Sequence, residues 1–269
     1  MEKTILVTGA TDGIGRETAH ELVRRGNFVI AHGRSKEKLK TVQSELEAIK
    51  PNSCEIIAAD LSSLTEVKQM ASAILQLGKS IDVLLHNAGV YEEELLLTVD
   101  GFERTFAVNH LAPFLLTHYL LPSIKKVENS RIIVVSSIAH NRGKIFFDDV
   151  NLTQQFDGYR AYAQSKLANI LFVNELVERN KNSNTTFYSL HPGVITTKLL
   201  QKGFKMQGAS LAQGAATSVY LATEPGIENL NGGYFSDKKL TAKADHAENG
   251  LDQKRLWELS EKMCSQFID

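Results

Sequence analysis

Tyr162 and Lys166 are four residues apart in the segment AYAQSKLANILF, whose pattern predicts an amphipathic helix. On a helix this spacing places both side chains on one face, where they can contact each other. A neighbouring cation favours the phenolate and lowers the pKa of a tyrosine below its ordinary value of about 10. The pair therefore predicts a device that moves a proton at neutral pH. The same spacing recurs at Tyr234 and Lys238, but there we expect a short strand and a turn, which hold such side chains too far apart to couple.

A glycine-rich turn near the N-terminus is the second chemical signal. An apolar run at residues 3–7 leads into TGATDGIG, and a helical pattern follows at residues 17–25. A strand, a glycine turn and a helix in this order predict a loop that cradles phosphate groups at the start of the helix. Gly9 allows the tight turn, Gly13 lets the backbone approach a pyrophosphate, and Gly15 lets the helix pack close to the strand. A turn without a ligand is disfavoured, because three glycines would weaken the start of the helix for no gain.

The elements that must position these residues alternate between strand and helix along the whole chain. Continuous apolar strands such as IIVV fit a sheet that is covered on both faces. Strict alternation implies parallel strands with right-handed crossovers, so we predict one α/β domain over residues 1–269, a Rossmann-type doubly wound parallel sheet of about seven strands with helices on both faces. The predicted strands are 4–7, 28–32, 55–59, 83–86, 131–136, 186–191 and 234–235, and the predicted helices are 17–25, 36–48, 65–77, 101–126, 162–180 and 211–223.

Composition excludes several classes of function. The net charge of -1 gives no basic field that would attract nucleic acid or anionic lipid. No apolar run reaches the roughly 20 residues that a membrane span needs. Cys54 and Cys264 lie far apart without metal-ligand spacing, and the chain opens without a signal-like stretch, so we expect a cytoplasmic protein without a metal. The histidines show no zinc-site spacing, and we interpret them as strand-end or surface polar groups: His32, His86, His110, His140 and His191.

Taken in order, the motifs resemble those of the short-chain dehydrogenase/reductase family, from residue 4 to about residue 236. Within that family the chain is most similar to the branch of the retinol dehydrogenases and the WW-domain oxidoreductase, through the phrases DGFE, FAVNHL, VSSIAH, QSKLAN and HPGV. The motifs are Thr8-Gly9-x3-Gly13-Ile14-Gly15, Asp60-Leu61, Asn87-Ala88-Gly89, Asn109, Ser137, Tyr162-x3-Lys166 and Pro192-Gly193.

The resemblance implies a catalytic tetrad of Asn109, Ser137, Tyr162 and Lys166. Tyr162 would donate a proton to a carbonyl oxygen during reduction, and Ser137 would hold the same oxygen. Lys166 would lower the pKa of the tyrosine and bind the ribose hydroxyls of a nicotinamide cofactor, and Asn109 would anchor a water that joins Lys166 to solvent. Ser136 competes for the serine role, but Ser137 matches the second serine of the family's paired motif.

The resemblance also implies a set of cofactor contacts. Asp60 would accept a hydrogen bond from the adenine amino group, unless it is only a helix cap, a role that Ser62 or Ser63 could supply as well. Residues 87–89 would support the central strand and leave room for the adenosine ribose, and Thr197 would meet the nicotinamide amide or the pyrophosphate. The predicted cofactor-binding residues are Gly9, Thr11, Asp12, Gly13, Ile14, Gly15, Arg34, Ser35, Asp60, Leu61, Asn87, Ala88, Gly89, Tyr162, Lys166, Pro192, Gly193, Ile195 and Thr197.

The end of the second strand indicates which nicotinamide cofactor binds. An acidic residue there would favour NAD, but the segment AHGRSK contains none before Glu37. Arg34 can form a planar, charge-assisted contact with the 2′-phosphate of NADP, and Ser35 and Lys36 could assist. We therefore predict NADP(H) over NAD(H). Asp12 argues against NADP(H), because some NADP-dependent relatives carry a basic residue near that point of the glycine loop, where this chain has an acid. The alternative for Arg34 is a solvated residue at the start of the next helix.

The predicted function is an NADP(H)-dependent oxidoreductase that transfers hydride between nicotinamide and a carbonyl or alcohol substrate. Residues 195–208 would form a mobile flap over the pocket, and its apolar residues Leu199, Leu200, Phe204 and Met206 favour a lipophilic aldehyde or ketone, such as a retinoid or a steroid. The same residues could equally serve as ordinary packing. Family members are often dimers or tetramers, so the resemblance implies a homodimer or homotetramer.

Two other functions compete with this prediction. The first is a regulatory or scaffold protein that binds the cofactor without doing chemistry, and the intact tetrad argues against it because a pure binder has no need of a proton donor. The second is a sugar-nucleotide epimerase from the extended relatives of the same family. Its glycine loop normally differs from the one seen here, and its chain usually runs longer.

Overall fold

A computed structural model describes residues 2–268 of the protein. Within this range the strands form one sheet in the order β3-β2-β1-β4-β5-β6-β7-β8. The strands β1 to β7 run parallel, which confirms the predicted doubly wound sheet, and β8 pairs antiparallel with β7. Their bounds are β1 Thr4–Val7, β2 Phe28–Gly33, β3 Cys54–Ala58, β4 Val83–His86, β5 Arg131–Val135, β6 Thr186–His191, β7 Tyr234–Ser236 and β8 Lys239–Thr241.

Helices cover both faces of the sheet, which explains why the central strands are apolar throughout. One core lies between the sheet and α1, α2 and α8, and the other lies between the sheet and α3, α5, α6 and α9. All residues of β4 and β5 are buried between these two layers. The helices are α1 Gly13–Arg24, α2 Lys36–Ile49, α3 Leu64–Gln76, α4 Arg104–Phe106, α5 Ala112–Ile124, α6 Gly158–Arg179, α7 Lys198–Phe204, α8 Leu211–Thr223 and α9 Gly250–Cys264.

Polar side chains fix where the helices begin. Ser35 caps α2 by accepting a hydrogen bond from the backbone N–H of Lys38, and Ser63 caps α3 in the same way. Asp157 caps α6, and Ser210 caps α8. Each such cap stabilises its helix by about 1 kcal/mol. Because Ser63 caps α3, the cap role considered for Asp60 belongs to another residue.

The predicted helix over residues 101–126 is interrupted. The short helix α4 passes into a π-helical turn at Ala107–Leu111 before α5 begins. In this wider turn the N–H of Ala112 bonds to the carbonyl oxygen of Ala107, five residues earlier. Pro113 follows and has no N–H, so it cannot make the regular bond back to Asn109. π-Helical turns of this kind often lie at functional sites.

The C-terminal part of the chain contains a hairpin and a helix that the sequence patterns did not predict. Strands β7 and β8 are joined by Asp237 and Lys238, which both have positive φ angles (50° and 59°), as a tight type I′ hairpin turn requires. Tyr234 therefore lies in a strand and Lys238 in a turn, as expected. Within residues 2–268, no helix is both long enough and apolar enough to cross a lipid bilayer.

Candidate active site

A cavity of about 580 Å³ opens at the carboxyl ends of the parallel strands, where ligands of such sheets bind. Ser137, Tyr162 and Lys166 of the predicted tetrad line it, and Asn109 lies behind its wall. With the exception of Ser35, the whole predicted cofactor-binding set also lines the cavity. The topology therefore brings together residues that are spread from position 9 to position 197.

Ser137 and Tyr162 reach the cavity from two different elements. Ser137 follows β5 and caps a 3-10 turn at Ile138–Arg142, where its hydroxyl oxygen accepts a hydrogen bond from the N–H of Ala139 at 3.2 Å. Tyr162 lies in the first turns of α6. The hydroxyl of Ser137 lies near enough to the phenol of Tyr162 to lower its pKa, and each residue is only 8% exposed. The two hydroxyl groups therefore converge, as the predicted chemistry requires.

The pKa of Tyr162 shifts in the opposite direction to the one expected from its neighbour. Burial raises the pKa of Tyr162 to about 12, and the hydrogen bond with Ser137 opposes that rise only in part. Burial also lowers the pKa of Lys166 to about 8, although its ammonium lies 5.4 Å from the centre of the tyrosine ring. The expectation of a lowered tyrosine pKa is wrong here, because removing a phenolate from water outweighs the opposing effect of Ser137. Tyr162 keeps its proton at neutral pH, which is the form that a proton donor needs.

Ser136 and Lys166 hold α6 against the end of β5. The hydroxyl of Ser136 donates to the carbonyl oxygen of Lys166 at 2.7 Å, and the ammonium of Lys166 donates to the carbonyl oxygen of Val135 at 3.0 Å. The hydroxyl of Ser136 is thus committed to a backbone partner. Ser137, in contrast, has its hydroxyl beside the phenol of Tyr162, where the role predicted for it would place it.

The side chain of Asn109 projects from the π-helical turn and holds the loop after β4. Its amide oxygen accepts from the N–H of Val90 at 2.8 Å, and its amide nitrogen donates to the carbonyl oxygen of Val90 and to the hydroxyl of Ser165, both at 3.0 Å. A Cβ on Gly89 would lie 3.4 Å from the Asn109 oxygen and from the Lys166 ammonium. These two groups thus flank Gly89, and the bridging water implied for Asn109 stays a prediction.

The glycine loop combines one tightly packed position with one open position. A Cβ on Gly15 would lie 2.2 Å from the carbonyl oxygen of Gly9 and 2.3 Å from the side-chain nitrogen of Asn87, so only glycine fits between helix and loop. Gly13 has a φ of 52°, and a Cβ there would meet only the methyl group of Thr197 at 3.6 Å. The backbone at Gly13 therefore faces open space, the shape of a cradle for phosphate oxygens.

Asp12 does not stand in the glycine loop as an isolated anion. Its carboxylate caps α1 by accepting from the N–H of Gly13 at 2.8 Å, and it forms an ion pair with Lys198 of α7. The hydrogen bond from Lys198 is the main cause of a lowered pKa at Asp12. The N–H of Gly13 is thus bound by the protein's own carboxylate.

Arg34 and Asp60 lie at the other end of the cavity, beyond β2 and β3. The guanidinium of Arg34 is 3.9 Å from the carboxylate of Asp60, and its side chain is 60% exposed. Asp60 also accepts from the N–H and the hydroxyl of Ser62, at 2.9 and 2.8 Å. Ser35, predicted to contact the cofactor, caps α2, where its hydroxyl oxygen accepts from the N–H of Lys38 at 3.2 Å, and its cofactor contact stays a prediction.

Aromatic side chains from three segments form an apolar wall beside Tyr162. The ring of Phe204, at the end of α7, lies 5.5 Å from that of Tyr91 and 6.0 Å from those of Tyr159 and Tyr162. The preceding residue, Gly203, presses on the ring of Tyr91, where a Cβ would come within 2.9 Å of the ring carbons. This contact sets the distance between α7 and the wall.

A buried carboxylate fastens α7 to the rest of the site. Glu92 is only 8% exposed and pairs with Arg104 of α4 at 3.0 Å and with Lys202 of α7 at 2.5 Å. The predicted flap at residues 195–208 contains α7 and supplies Leu199, Leu200, Phe204 and Met206 to the lining, as expected. Its predicted mobility is a separate property, which stays a prediction.

The sequence profile of the short chain dehydrogenases matches residues 3–208 of the chain. The protein belongs to the short-chain dehydrogenase family. The chain is 39% identical to retinol dehydrogenase 12 from Bos taurus, over 96% of this chain and 85% of that protein. The resemblance to the retinol dehydrogenase branch is thereby confirmed, and the protein is an oxidoreductase of this family.

Solved structures agree with this assignment. An uncharacterized protein from Mycobacterium paratuberculosis superposes on this short-chain dehydrogenase with a TM-score of 0.82 at 31% identity, over 98% of this chain and 93% of the other. A short chain dehydrogenase from Escherichia coli CFT073 complexed with NADPH gives a TM-score of 0.73 at 26% identity, over 88% and 97% of the two chains. The shared fold extends across nearly the whole described sheet.

Several residues of the dehydrogenase's site were missed by sequence reasoning. Tyr159 could have been found, because it lies three residues before Tyr162 on one face of a helix. No local signal marks Tyr91, Glu92 or Arg104, which reach the site only through the loop after β4 and the start of α4. Their roles depend on tertiary contacts that spacing in the chain does not reveal.

The cavity of the dehydrogenase fits the nicotinamide cofactor that members of this family use. Its lining includes Arg34 after β2, the open backbone at Gly13 after β1, and Lys166 beside the end of β5, and the strand order β2-β1-β4-β5 sets them in this sequence along the sheet. Residues that suit adenine, phosphate groups and nicotinamide ribose thus follow one another in the order in which these groups occur in the cofactor. Within residues 2–268, no cluster of three or more histidine, cysteine or acidic residues could hold a metal ion.

Proposed function

We propose that the protein transfers hydride between NADP(H) and a lipophilic carbonyl or alcohol substrate, with Tyr162 as the acid and base. The observation that carries this proposal is the convergence of the Ser137 and Tyr162 hydroxyls in a cavity beside Lys166. An oxygen bound between these two hydroxyls would lie where both can donate to it.

The bound cofactor supplies the hydride that reaches the substrate carbon, and the protein supplies the proton and the geometry. Tyr162 holds its proton at neutral pH, since its pKa of about 12 lies far above 7, so it donates to the carbonyl oxygen as negative charge develops there. The hydroxyl oxygen of Ser137 already accepts from Ala139, which leaves its hydrogen to be donated into the cavity. Two fixed donors stabilise the oxygen in the transition state, and loss of one such donor typically costs about 100- to 1000-fold in rate.

Four observations support NADP(H) as the cofactor. The strand β2 ends without an acidic residue, and Arg34 follows it at the mouth of the cavity. Asp12 would repel a phosphate if it were free, but Lys198 neutralises it. The relative from Escherichia coli was solved with NADPH.

The lining beside Tyr162 supports a lipophilic substrate. The apolar side chains of Ile138, Leu199, Phe204 and Met206 surround this end of the cavity, together with the ring of Tyr159. The relatives named retinol dehydrogenases indicate the same chemistry. We propose an aldehyde or ketone with an extended apolar body, of the retinoid or steroid kind.

A panel of aldehydes and ketones, followed by the absorbance of NADPH, tests the proposal on purified protein. The decisive variant is Tyr162→Phe, which should lower turnover at least about 100-fold while NADPH fluorescence still reports binding. Tyr220→Phe is the matched control, because it removes a phenol hydroxyl from α8, outside the cavity. Full turnover in Tyr162→Phe would overturn the proposal. Binding of NADPH without turnover on any substrate would instead favour the non-catalytic alternative.

A further inference from the structure

A segment near the C-terminus packs against the turn that carries the catalytic Ser137, and it contacts His140 in that turn. This histidine lies in the 3-10 turn Ile138–Arg142 that begins at Ser137, and it is fully buried. The segment that meets it follows β8, at residues 243–248, outside the part of the chain that the family profile matches. A segment outside the matched family profile therefore lies directly behind the active site.

Three contacts join His140 to the C-terminal part of the chain. The backbone N–H of Ala244 donates to Nε2 of His140 at 3.2 Å, and Nε2 of His246 donates to the carbonyl oxygen of His140 at 3.0 Å. The ring of Tyr234 packs edge-on against the imidazole, with 4.9 Å between centroids. The histidine is thus held by hydrogen bonds to its ring and its backbone and by an aromatic neighbour.

The same segment is fastened to α6, which carries Tyr162. Asn174 of α6 accepts from the ammonium of Lys243 at 2.6 Å and donates to the carbonyl oxygen of Ala247 at 2.8 Å. Residues on both sides of Ala244 are therefore fixed to the helix of the catalytic tyrosine. This arrangement gives the segment a rigid base from which to hold His140.

These contacts determine which nitrogen of His140 carries the proton. Because Nε2 accepts the N–H of Ala244, it has no proton of its own, and Nδ1 must carry the proton in the neutral ring. Nδ1 therefore donates to the carbonyl oxygen of Ser137, which lies 2.8 Å away. Burial lowers the pKa of His140 and so favours this neutral form.

Ser137 is held at two points as a result. Its carbonyl oxygen accepts from Nδ1 and from the backbone N–H of His140, at 2.8 and 3.1 Å. Its hydroxyl oxygen accepts from the N–H of Ala139 in the same turn. A change in the turn would therefore move the hydroxyl that meets Tyr162.

We propose that His140 is a positioning residue, clamped by Ala244 and His246, that holds the turn of Ser137 so that its hydroxyl meets the substrate oxygen beside Tyr162. The inference rests on the proposed function, since it assigns a supporting role within the same site. A histidine that only fills the core would affect stability and leave the turnover of folded molecules unchanged.

The substitution Ala244→Pro removes the backbone N–H that donates to the ring of His140. The backbone of Ala244 has φ −63° and ψ 144°, a conformation that proline adopts readily. We expect kcat to fall roughly 10- to 100-fold, the scale of a small misplacement at a reacting centre, with the Kd for NADPH unchanged. Ala244→Ser keeps the N–H and should behave like the wild type. Wild-type kcat in Ala244→Pro would overturn the inference.

A pair of variants at position 140 separates the two ring nitrogens. In His140→Asn the side-chain amide can still donate to Ser137, whereas in His140→Gln the longer side chain can reach only toward Ala244. We expect His140→Asn to keep more of the wild-type kcat than His140→Gln. The comparison holds when both variants unfold at the same urea midpoint. Equal losses of kcat in both variants would contradict the positioning role.

Nitrogen NMR of the histidine ring gives a readout that does not depend on turnover. The neutral ring of His140 should show a protonated Nδ1 and an unprotonated Nε2, and the opposite tautomer would overturn the inference. If the wild type turns over and Tyr162→Phe does not, the proposed function stands, and the Ala244→Pro result judges the inference by itself. A wild type that turns over no substrate would overturn both the proposed function and the positioning role of His140.

Discussion

The ammonium group of Lys198 on α7 forms an ion pair with the carboxylate of Asp12, the residue that caps α1. The pair joins the glycine loop to the segment that covers the cavity. Together with the pair between Lys202 and Glu92, it holds α7 at two of its turns. We therefore expect the rates at which the cofactor binds and leaves to depend on both ion pairs.

Replacing Lys198 with glutamine should speed the dissociation of NADPH. The lysine side chain is 79% exposed, so the pair stabilises the closed arrangement by at most about 1 kcal/mol, and we expect an acceleration of up to about fivefold. Stopped-flow fluorescence measures the rate at low and high salt, and the salt dependence should weaken in the variant. Lys205→Gln is the control, because within residues 2–268 Lys205 forms no ion pair. Equal rates for wild type and Lys198→Gln at low salt would exclude this role.

Arg34→Gln should weaken the binding of NADPH and leave the binding of NADH unchanged. A charge-assisted hydrogen bond contributes about 1.5–3 kcal/mol, so the Kd for NADPH should rise roughly 10- to 100-fold. Titration of both cofactors by fluorescence measures the change. Lys40→Gln removes an exposed positive charge further along α2 and serves as the control. If NADH already binds the wild type as tightly as NADPH, Arg34 does not recognise the phosphate.

Gly15→Ala should destabilise the fold and distort the glycine loop. The added methyl group would collide with the backbone of Gly9 and with Asn87, at 2.2 and 2.3 Å, so we expect a loss of about 1–3 kcal/mol in the free energy of unfolding. Urea unfolding measures the loss. Gly250→Ala is the matched control at the start of α9, where a Cβ meets nothing within 4 Å. A stability equal to that of the wild type would show that helix α1 can move away from the strand.

Acid should unfold the protein through its buried histidines. Burial lowers the pKa of His32 and His191 to about 4 and of His86 and His110 to about 3. As the pH falls below 6.5, these histidines bind protons in the unfolded chain but stay neutral in the folded protein. The free energy of unfolding therefore decreases by about 1.4 kcal/mol per pH unit for each histidine. Urea unfolding between pH 7 and pH 5 measures the slope. His86→Gln should reduce the slope by one proton, while His118→Gln, at an exposed position on α5, should leave it unchanged.

The strands and the order of the motifs could be predicted because each strand and each motif depends on a few consecutive residues. The bounds of β1, β4 and β6 match the prediction to the residue, since each is a short run rich in residues that favour strands. The helices α7 and α9 were not predicted. In α9 the buried residues Leu256, Ser260 and Cys264 recur every fourth position, and the serine weakens an apolar pattern that would otherwise indicate a helix.

Local spacing could not predict the electrostatics of the site. The distance of four residues between Tyr162 and Lys166 is visible in the sequence, but the burial that raises the tyrosine pKa is a property of the assembled fold. The same holds for His110 and His140, which we expected at strand ends or on the surface and which are buried against other elements. The cap formed by Ser35 was also missed, because a helix cap and a ligand contact look alike in a sequence.

The absence of a side chain at Gly203 bears on the range of substrates that this enzyme can evolve to accept. Since that glycine rests on the ring of Tyr91, any larger residue there would lift the end of α7 and carry Phe204 with it. The room above the reacting carbon could then grow while Ser137, Tyr162 and Lys166 keep their places. One codon therefore offers a route to new substrates that leaves the chemical steps intact.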